Sequence, residues 1–229
     1  MAGLAVLALA DARFPGGGHV HSGGVEEAAR QGLVTDVSNL REFLSGRLRT
    51  TGSVQGAFAA AAAHAALRSA PHGHWRALDA EFDARTPSPA QRSASRAQGR
   101  GTARSGRIAW PSAALDRLLA VSPRPHHPLV LGALAAGGGA APRDAALAAG
   151  YLAISGPSSA AVRLLGLDPL VVNGVLAGLA AELDELADRA AAFAGADPAE
   201  LPASSAPALD LFAEAHERRH QDEVRLFAS

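Results

Sequence analysis

The run D-A-R-F-P-G-G-G-H-V-H-S-G-G-V-E occupies residues 11–26 and separates two apolar, alanine-rich segments. Between Gly16 and Gly24 it holds five glycines, introduced by Pro15. A helix interior does not accept this, because each glycine there costs about 1 kcal/mol relative to alanine. The run is therefore a shaped loop. Ser22 is placed to cap a helix beginning near Val25, and Glu26 and Glu27 fall in the first turn, where the helix dipole favours acids. Glycine also lets a ligand, a partner or another part of the chain approach the backbone closely.

Several chemistries could use such a loop. A phosphate cradle needs a lysine and a hydroxyl residue behind the glycines, and a dinucleotide fingerprint needs a preceding strand; the sequence offers neither. His19 and His21 make a two-ligand fragment that could hold nickel or zinc, short of the four ligands of a structural site. A plain tight turn feeding a helix is the third possibility.

Outward from the loop the chain reads as helix after helix. Thr35 or Asp36 caps a segment carrying Val37, Leu40, Phe43, Leu44 and Leu48 on one face. Ser53 to Arg68 is nearly all alanine with Val54, Phe58 and Leu67, the composition of a helix buried on most sides. Pro71 ends it, and His72 to Arg85 aligns Trp75, Leu78 and Phe82. Thr86-Pro87-Ser88-Pro89 is a stop, a cap and a proline at the first helical position. Apolar segments follow at 113–121, 129–136, 142–154, 157–165 and 169–193, and residues 195–207 read as a Pro/Ser/Ala linker to a tail. β-branched alternation is missing. The expected class is all-α, a single domain of about nine or ten helices with a Gly-rich N-terminal loop and a C-terminal tail.

Composition narrows the chemistry. The 229 residues are 48% hydrophobic, enough for a core, and the formal net charge is −1. That balance argues against a general nucleic-acid binder. All 21 basic residues are arginine and cysteine is absent, so lysine bases, Schiff-base lysines, thiol nucleophiles and zinc–thiolate sites are excluded. Neither a basic-headed signal peptide nor a long charge-free apolar run is seen, so neither a cleaved leader at Met1 to Ala10 nor a membrane span is expected. No catalytic constellation is legible, and the expectation is a protein that is not an enzyme and carries no cofactor.

Three further features ask for a role. His216-Glu217-Arg218-Arg219-His220 is a literal H-E-x-x-H, but only nine residues follow it, too few for the third zinc ligand of a protease; a solvated tail helix is the plainer reading. Arg92, Arg96, Arg100 and Arg104 recur every four residues, forming one basic stripe if helical and a flexible basic segment if Gly99 and Gly101 break the helix. A stripe of this kind suits an acidic partner, since the guanidinium fork pairs carboxylates bidentately. Arg225, Leu226 and Phe227 would fray at a free terminus, yet they are also what a tail needs to dock in a groove.

Asp11, Pro15, Gly17, His21, Ser22, Gly24 and Glu26 resemble the N-terminal signature of the urease accessory protein UreF family. His19 and Val25 depart from it, standing where that family has an aromatic residue and leucine. Residues 92–99, R-S-A-S-R-A-Q-G, resemble the family's central Ser-x-x-Gln-Gly segment, and V-R-L-F-A-S at 224–229 resembles its terminal motif. The resemblance implies an all-α domain over residues 1–194 with a linker and tail over 195–229. It implies a homodimeric, cytosolic, non-enzymatic protein that bridges UreD (also called UreH) and the GTPase UreG, so that nickel reaches the urease apoprotein. Partner contacts would fall on Pro15, Gly17, His19, His21, Ser22, Gly24, Glu26, Arg96, Gln98, Gly99, Arg225, Leu226 and Phe227. The alternative is a metal carrier using His19 and His21 directly.

Overall fold

The computed structural model describes residues 2–11, 13–16 and 22–227, without the side chains of Ala2 and residues 220–227. Regular structure among them is helical: α1 Ala2–Ala10, α2 Val25–Arg30, α3 Val37–Arg47, α4 Ser53–Leu67, α5 His72–Ala84, α6 Pro89–Ala109, α7 Ala113–Val121, α8 His127–Gly137, α9 Pro142–Leu165, α10 Pro169–Gly178, α11 Ala180–Ala192 and α12 Pro207–Phe227. A π-helical turn, Leu48–Gly52, carries α3 into α4, and a 3₁₀ turn, Pro198–Glu200, precedes α12. The all-α expectation holds.

α4 is the axis of the fold, and ten of its fifteen residues are buried, among them Phe58 and the alanines from Ala59 to Ala63. Small residues bring its neighbours in close. A Cβ on Gly132 of α8 would lie 2.2 Å from the Ala59 carbonyl oxygen, so α4 and α8 meet backbone against backbone. Alanine gains little from burial per side chain, about 0.8 kcal/mol per methyl-sized group, but closeness multiplies the dispersion contacts along the pair. On the other side of α4, Trp75, Leu78 and Phe82 of α5 are buried as their spacing predicts. Phe82 meets Phe58 edge-on with centroids 5.2 Å apart.

Several boundaries differ from the sequence expectation. Residues 142–154 and 157–165 form one helix, α9, with Pro157 inside it. The proline has no N–H to give the Ala153 carbonyl four residues back. Arg47 supplies the missing donor, its Nε lying 2.7 Å from that oxygen. Conversely, residues 169–193 divide into α10 and α11 at Leu179, which is buried and serves as the C-cap of one and the N-cap of the other. The 195–207 connection is tied down: Leu201 is buried, and Arg85 donates to the carbonyls of Ala199, Leu201 and Pro202 at 2.8–3.1 Å. By length and composition α9 could cross a membrane, but 61% of its most apolar window is buried in the fold, as in a core helix.

Candidate functional site at the loop and helix junction

The exit of the glycine loop is held by unusual backbone. Gly23 and Gly24 have φ of 62° and 92°, a left-handed conformation open to glycine at little cost. Gly24, not Ser22, is the N-cap of α2, and no side chain caps that helix. The expected serine cap is displaced because two left-handed residues separate Ser22 from the helix; its carbonyl accepts from the Val25 N–H at 3.2 Å instead. Arg47 holds this exit as well as the gap in the α9 ladder, donating through Nη1 to the Gly23 carbonyl at 2.7 Å. A Cβ on Gly23 would lie 2.7 Å from the Pro157 ring. Burial draws the Arg47 guanidinium down to about 10. It keeps its charge at neutral pH.

α2 begins with Glu26 and Glu27. The Glu27 carboxylate is buried and accepts from Arg30 Nη2 at 2.5 Å, Gln31 Nε2 at 2.8 Å and Arg219 of α12. The Arg30 hydrogen bond, aided by Gln31 and the Arg219 charge, holds it well below the ordinary glutamate value, at about 2. Glu26 faces His216 of α12 at 3.7 Å. Leu209 and Phe212 of α12 close over Gly24, whose added Cβ would come 3.3 Å from Leu209.

α12 also completes α6. Ser88 caps α6 by accepting from the Gln91 N–H, as its position before Pro89 predicts. Its hydroxyl donates in turn to Glu214 Oε1 at 2.5 Å, and the same oxygen accepts the Ala90 N–H at 3.0 Å. One carboxylate thus satisfies an orphan donor of the first turn of α6. These hydrogen bonds hold the Glu214 carboxyl below its ordinary value.

Beyond its first turn α6 is a continuous helix, so the arginine stripe exists. Its glycines serve close packing. A Cβ on Gly99 would lie 2.1 Å from the Pro125 carbonyl, and one on Gly101 2.7 Å from the Gly16 carbonyl. Arg96 is turned inward, reaching Asp79 at 3.1 Å, Asp83 at 2.6 Å and the Arg124 carbonyl at 2.6 Å. Asp83 accepts from Nε2 of His126 at 2.9 Å, and His126 Nδ1 meets the Ser95 hydroxyl at 3.1 Å. Burial and the neighbouring Arg96 lower the His126 pKa and keep the ring neutral. The Ser95–His126–Asp83 order is that of a hydrolase triad, but Ser95 also takes the His127 N–H at 3.3 Å and Arg96 neutralises Asp83. This is a brace between α5, α6 and α8.

Loop exit, α6, α9 and α12 enclose a cavity of about 440 Å³. Ser22, Gly24, Gln98, Arg47, Phe212 and His216 are among its lining. Of the sequence-predicted residues, Ser22, Gly24 and Gln98 therefore share one site, with Glu26 beside it. Pro15 lies apart along α6, its carbonyl accepting from Ser105 at 2.8 Å. Arg96 is engaged in the brace, and Gly99 is buried under the Pro125–His127 turn. Gly17, His19 and His21 lie outside the described residues, as do the side chains of Arg225, Leu226 and Phe227, whose backbone continues α12. Among the described residues no three histidine or acidic side chains gather as a metal site. The roles of Arg47 and Glu214 and the pairing of Glu27 with Arg219 escaped the sequence reading, because each joins groups far apart in the chain; only Pro157 inside an apolar run hinted that a carbonyl would need a donor.

The site presents amide, hydroxyl and guanidinium groups around a small-residue floor, the equipment of a binding protein. It belongs to an all-helical scaffold in which three separated stretches of sequence meet. The family model UreF matches residues 34–180. Over 98% of this chain and 97% of the relative, it is 46% identical to the urease accessory protein UreF of Mycobacterium sp. (strain JLS). The corresponding protein of Mycolicibacterium vanbaalenii is 45% identical over the same shares, and that of Mycobacterium tuberculosis 43% identical over 96% of this chain and 97% of its own. The chain belongs to the UreF family of urease accessory proteins.

Proposed function

We propose that this chain is a non-catalytic adaptor in urease maturation, bridging UreD (UreH) and the GTPase UreG so that nickel reaches the active site of the urease apoprotein. The observation that carries the reading is convergence. Ser22 and Gly24 of one family-like motif and Ser95 and Gln98 of another line one cavity with the first half of α12, the helix whose end carries the third motif, although they lie far apart in the chain. Nickel and nucleotide chemistry belong to the partners. The loop residues and the terminal Arg225, Leu226 and Phe227 serve UreD contact, with residues 195–229 acting as linker and tail to the 1–194 domain.

A cytoplasmic homodimer completes the proposal. α10 offers a face for the second copy: Leu170 is 81% exposed, Val171 48%, and among the described residues nothing lies within 4 Å of where a Cβ would stand on Gly174 or Gly178. An apolar face of this kind on a monomer ordinarily marks association.

Co-purification with UreD and UreG from the same genome tests the reading. The intact chain should retain both partners, and a chain lacking residues 224–229 should lose UreD while keeping its helical content and dimer. Retention of UreD by the truncated chain overturns the tail's role. Nickel binding in the micromolar range that is lost in His19→Ala/His21→Ala would favour a carrier instead.

A further inference from the structure

The outer end of α6 differs from the end that packs. Arg100 and Arg104 are exposed and form no hydrogen bond or ion pair among the described residues. Arg107 has only Asp116 of α7, at 3.4 Å with both side chains in solvent, a pair worth little. These arginines fall at helical spacings of four and three, so they share a face about 10 Å long. They rim an open depression of about 410 Å³ between α6 and α7, floored by Ala103 and Leu119. Ile108, 85% exposed, extends the apolar surface past Arg107.

We propose that the Arg100–Arg104–Arg107 depression is a docking surface for an acidic amphipathic helix of a partner protein, with carboxylates on the arginine rim and one aliphatic side chain on the Leu119 floor. Charge complementarity selects this occupant. The guanidinium fork matches a carboxylate bidentately, and carboxylates one turn apart repeat the spacing of the rim. A nucleic acid would call for a longer cationic track and stacking aromatics, and a membrane for a broad face with inserted aromatic residues. The depression has neither, and the chain's net charge of −1 supplies no general attraction for polyanions. The inference stands independently of the urease reading, because it rests on this face alone.

The test uses the full chain at low salt and three fluorescent probes: a synthetic peptide repeating Glu-Leu-Ala-Ala, phosphatidylserine vesicles and a short oligodeoxythymidine. The peptide should bind, and Arg100→Glu/Arg104→Glu should weaken it about tenfold, as expected for reversed charge at a complementary surface. Arg41→Glu/Arg163→Glu, the same change of net charge at exposed positions elsewhere, should leave binding within about twofold, and a peptide with alanine for leucine should bind more weakly. Circular dichroism should be the same for every variant, since both rim arginines are free of partners. Equal loss in the two double variants overturns the proposal. So does stronger, Arg100- and Arg104-dependent binding of the vesicles or the oligonucleotide, or a peptide that does not bind at all.

Discussion

The two halves of α6 carry arginine at the same four-residue interval and use it in opposite ways. In the first half, Arg92 and Arg96 lie against α5, whose Asp79 and Asp83 are one turn apart and match them. In the second half, Arg100 and Arg104 have run past those acids, and α7 offers only Asp116 to Arg107. A periodic charge pattern therefore says that a helix has a face and leaves open what the face meets. The neighbour decides whether the charge becomes structure or surface.

The comparison breaks most visibly at Gly99. Valine there would place Cβ within 2.1 Å of the Pro125 carbonyl, and the backbone of that turn has no slack to give. Overpacking of this severity should cost about 3 kcal/mol, read as a lowered urea midpoint. An unchanged midpoint would mean that the first half of α6 is not packed as described. Next in size is Arg96→Ala, which strips Asp79 and Asp83 of their shared cation and leaves Asp83 with neutral His126 and the more distant Arg92 at 3.8 Å. With Arg96 20% and Asp79 14% exposed, the loss should be about 2 kcal/mol, less than for a fully buried pair.

Acidification should act where α12 docks. Glu27, held at about 2 from an ordinary 4.5, and Glu214, held below its ordinary value, both bind α12 to the rest of the fold as carboxylates. A depressed pKa contributes stability that is present above the unfolded value and lost as pH falls toward the folded one. Between about pH 4.5 and 2, α12 amides should therefore lose hydrogen-exchange protection before those of α4. Simultaneous loss would show that these carboxylates do not set α12 docking. The smallest effect belongs to Arg104→Ala, which removes no hydrogen bond or ion pair among the described residues and should shift stability by no more than about 0.5 kcal/mol. Any larger loss would erase the contrast between the halves.

The helical class, the buried face of α5 and the Ser88-Pro89 start of α6 were all legible, because each rests on spacing or local capping chemistry within a few residues. What could not be read is long-range. Arg96 shows four-residue spacing to its arginine neighbours and no sign of acids thirteen and seventeen residues upstream. Ser22 looked like a cap because caps are recognised by residue type, whereas left-handed Gly23 and Gly24 move the helix start past it. Pro157 and Leu179 show the same limit from both sides. A proline normally ends a helix unless a distant donor serves the carbonyl it orphans, and an apolar leucine gives no local notice of a corner. At the candidate site the loop and the Gln98 segment were visible as separate motifs; their meeting around one cavity was not.

The double use of Arg47 has a consequence for how the protein breathes. One guanidinium supplies the rung missing from the α9 amide ladder at Ala153 and also pins the Gly23 carbonyl. If the loop exit swings away, the cation loses one acceptor and is left in a partly buried position; if Arg47 follows the loop, the Ala153 oxygen is left dry. Either route leaves a buried polar group without a partner, at about 1–3 kcal/mol. The loop exit and the Pro157 stretch of α9 are thereby joined into a single opening unit. The exit of a loop that holds five glycines between Gly16 and Gly24, which composition alone would make the loosest in the chain, is fastened to one of its longest helices.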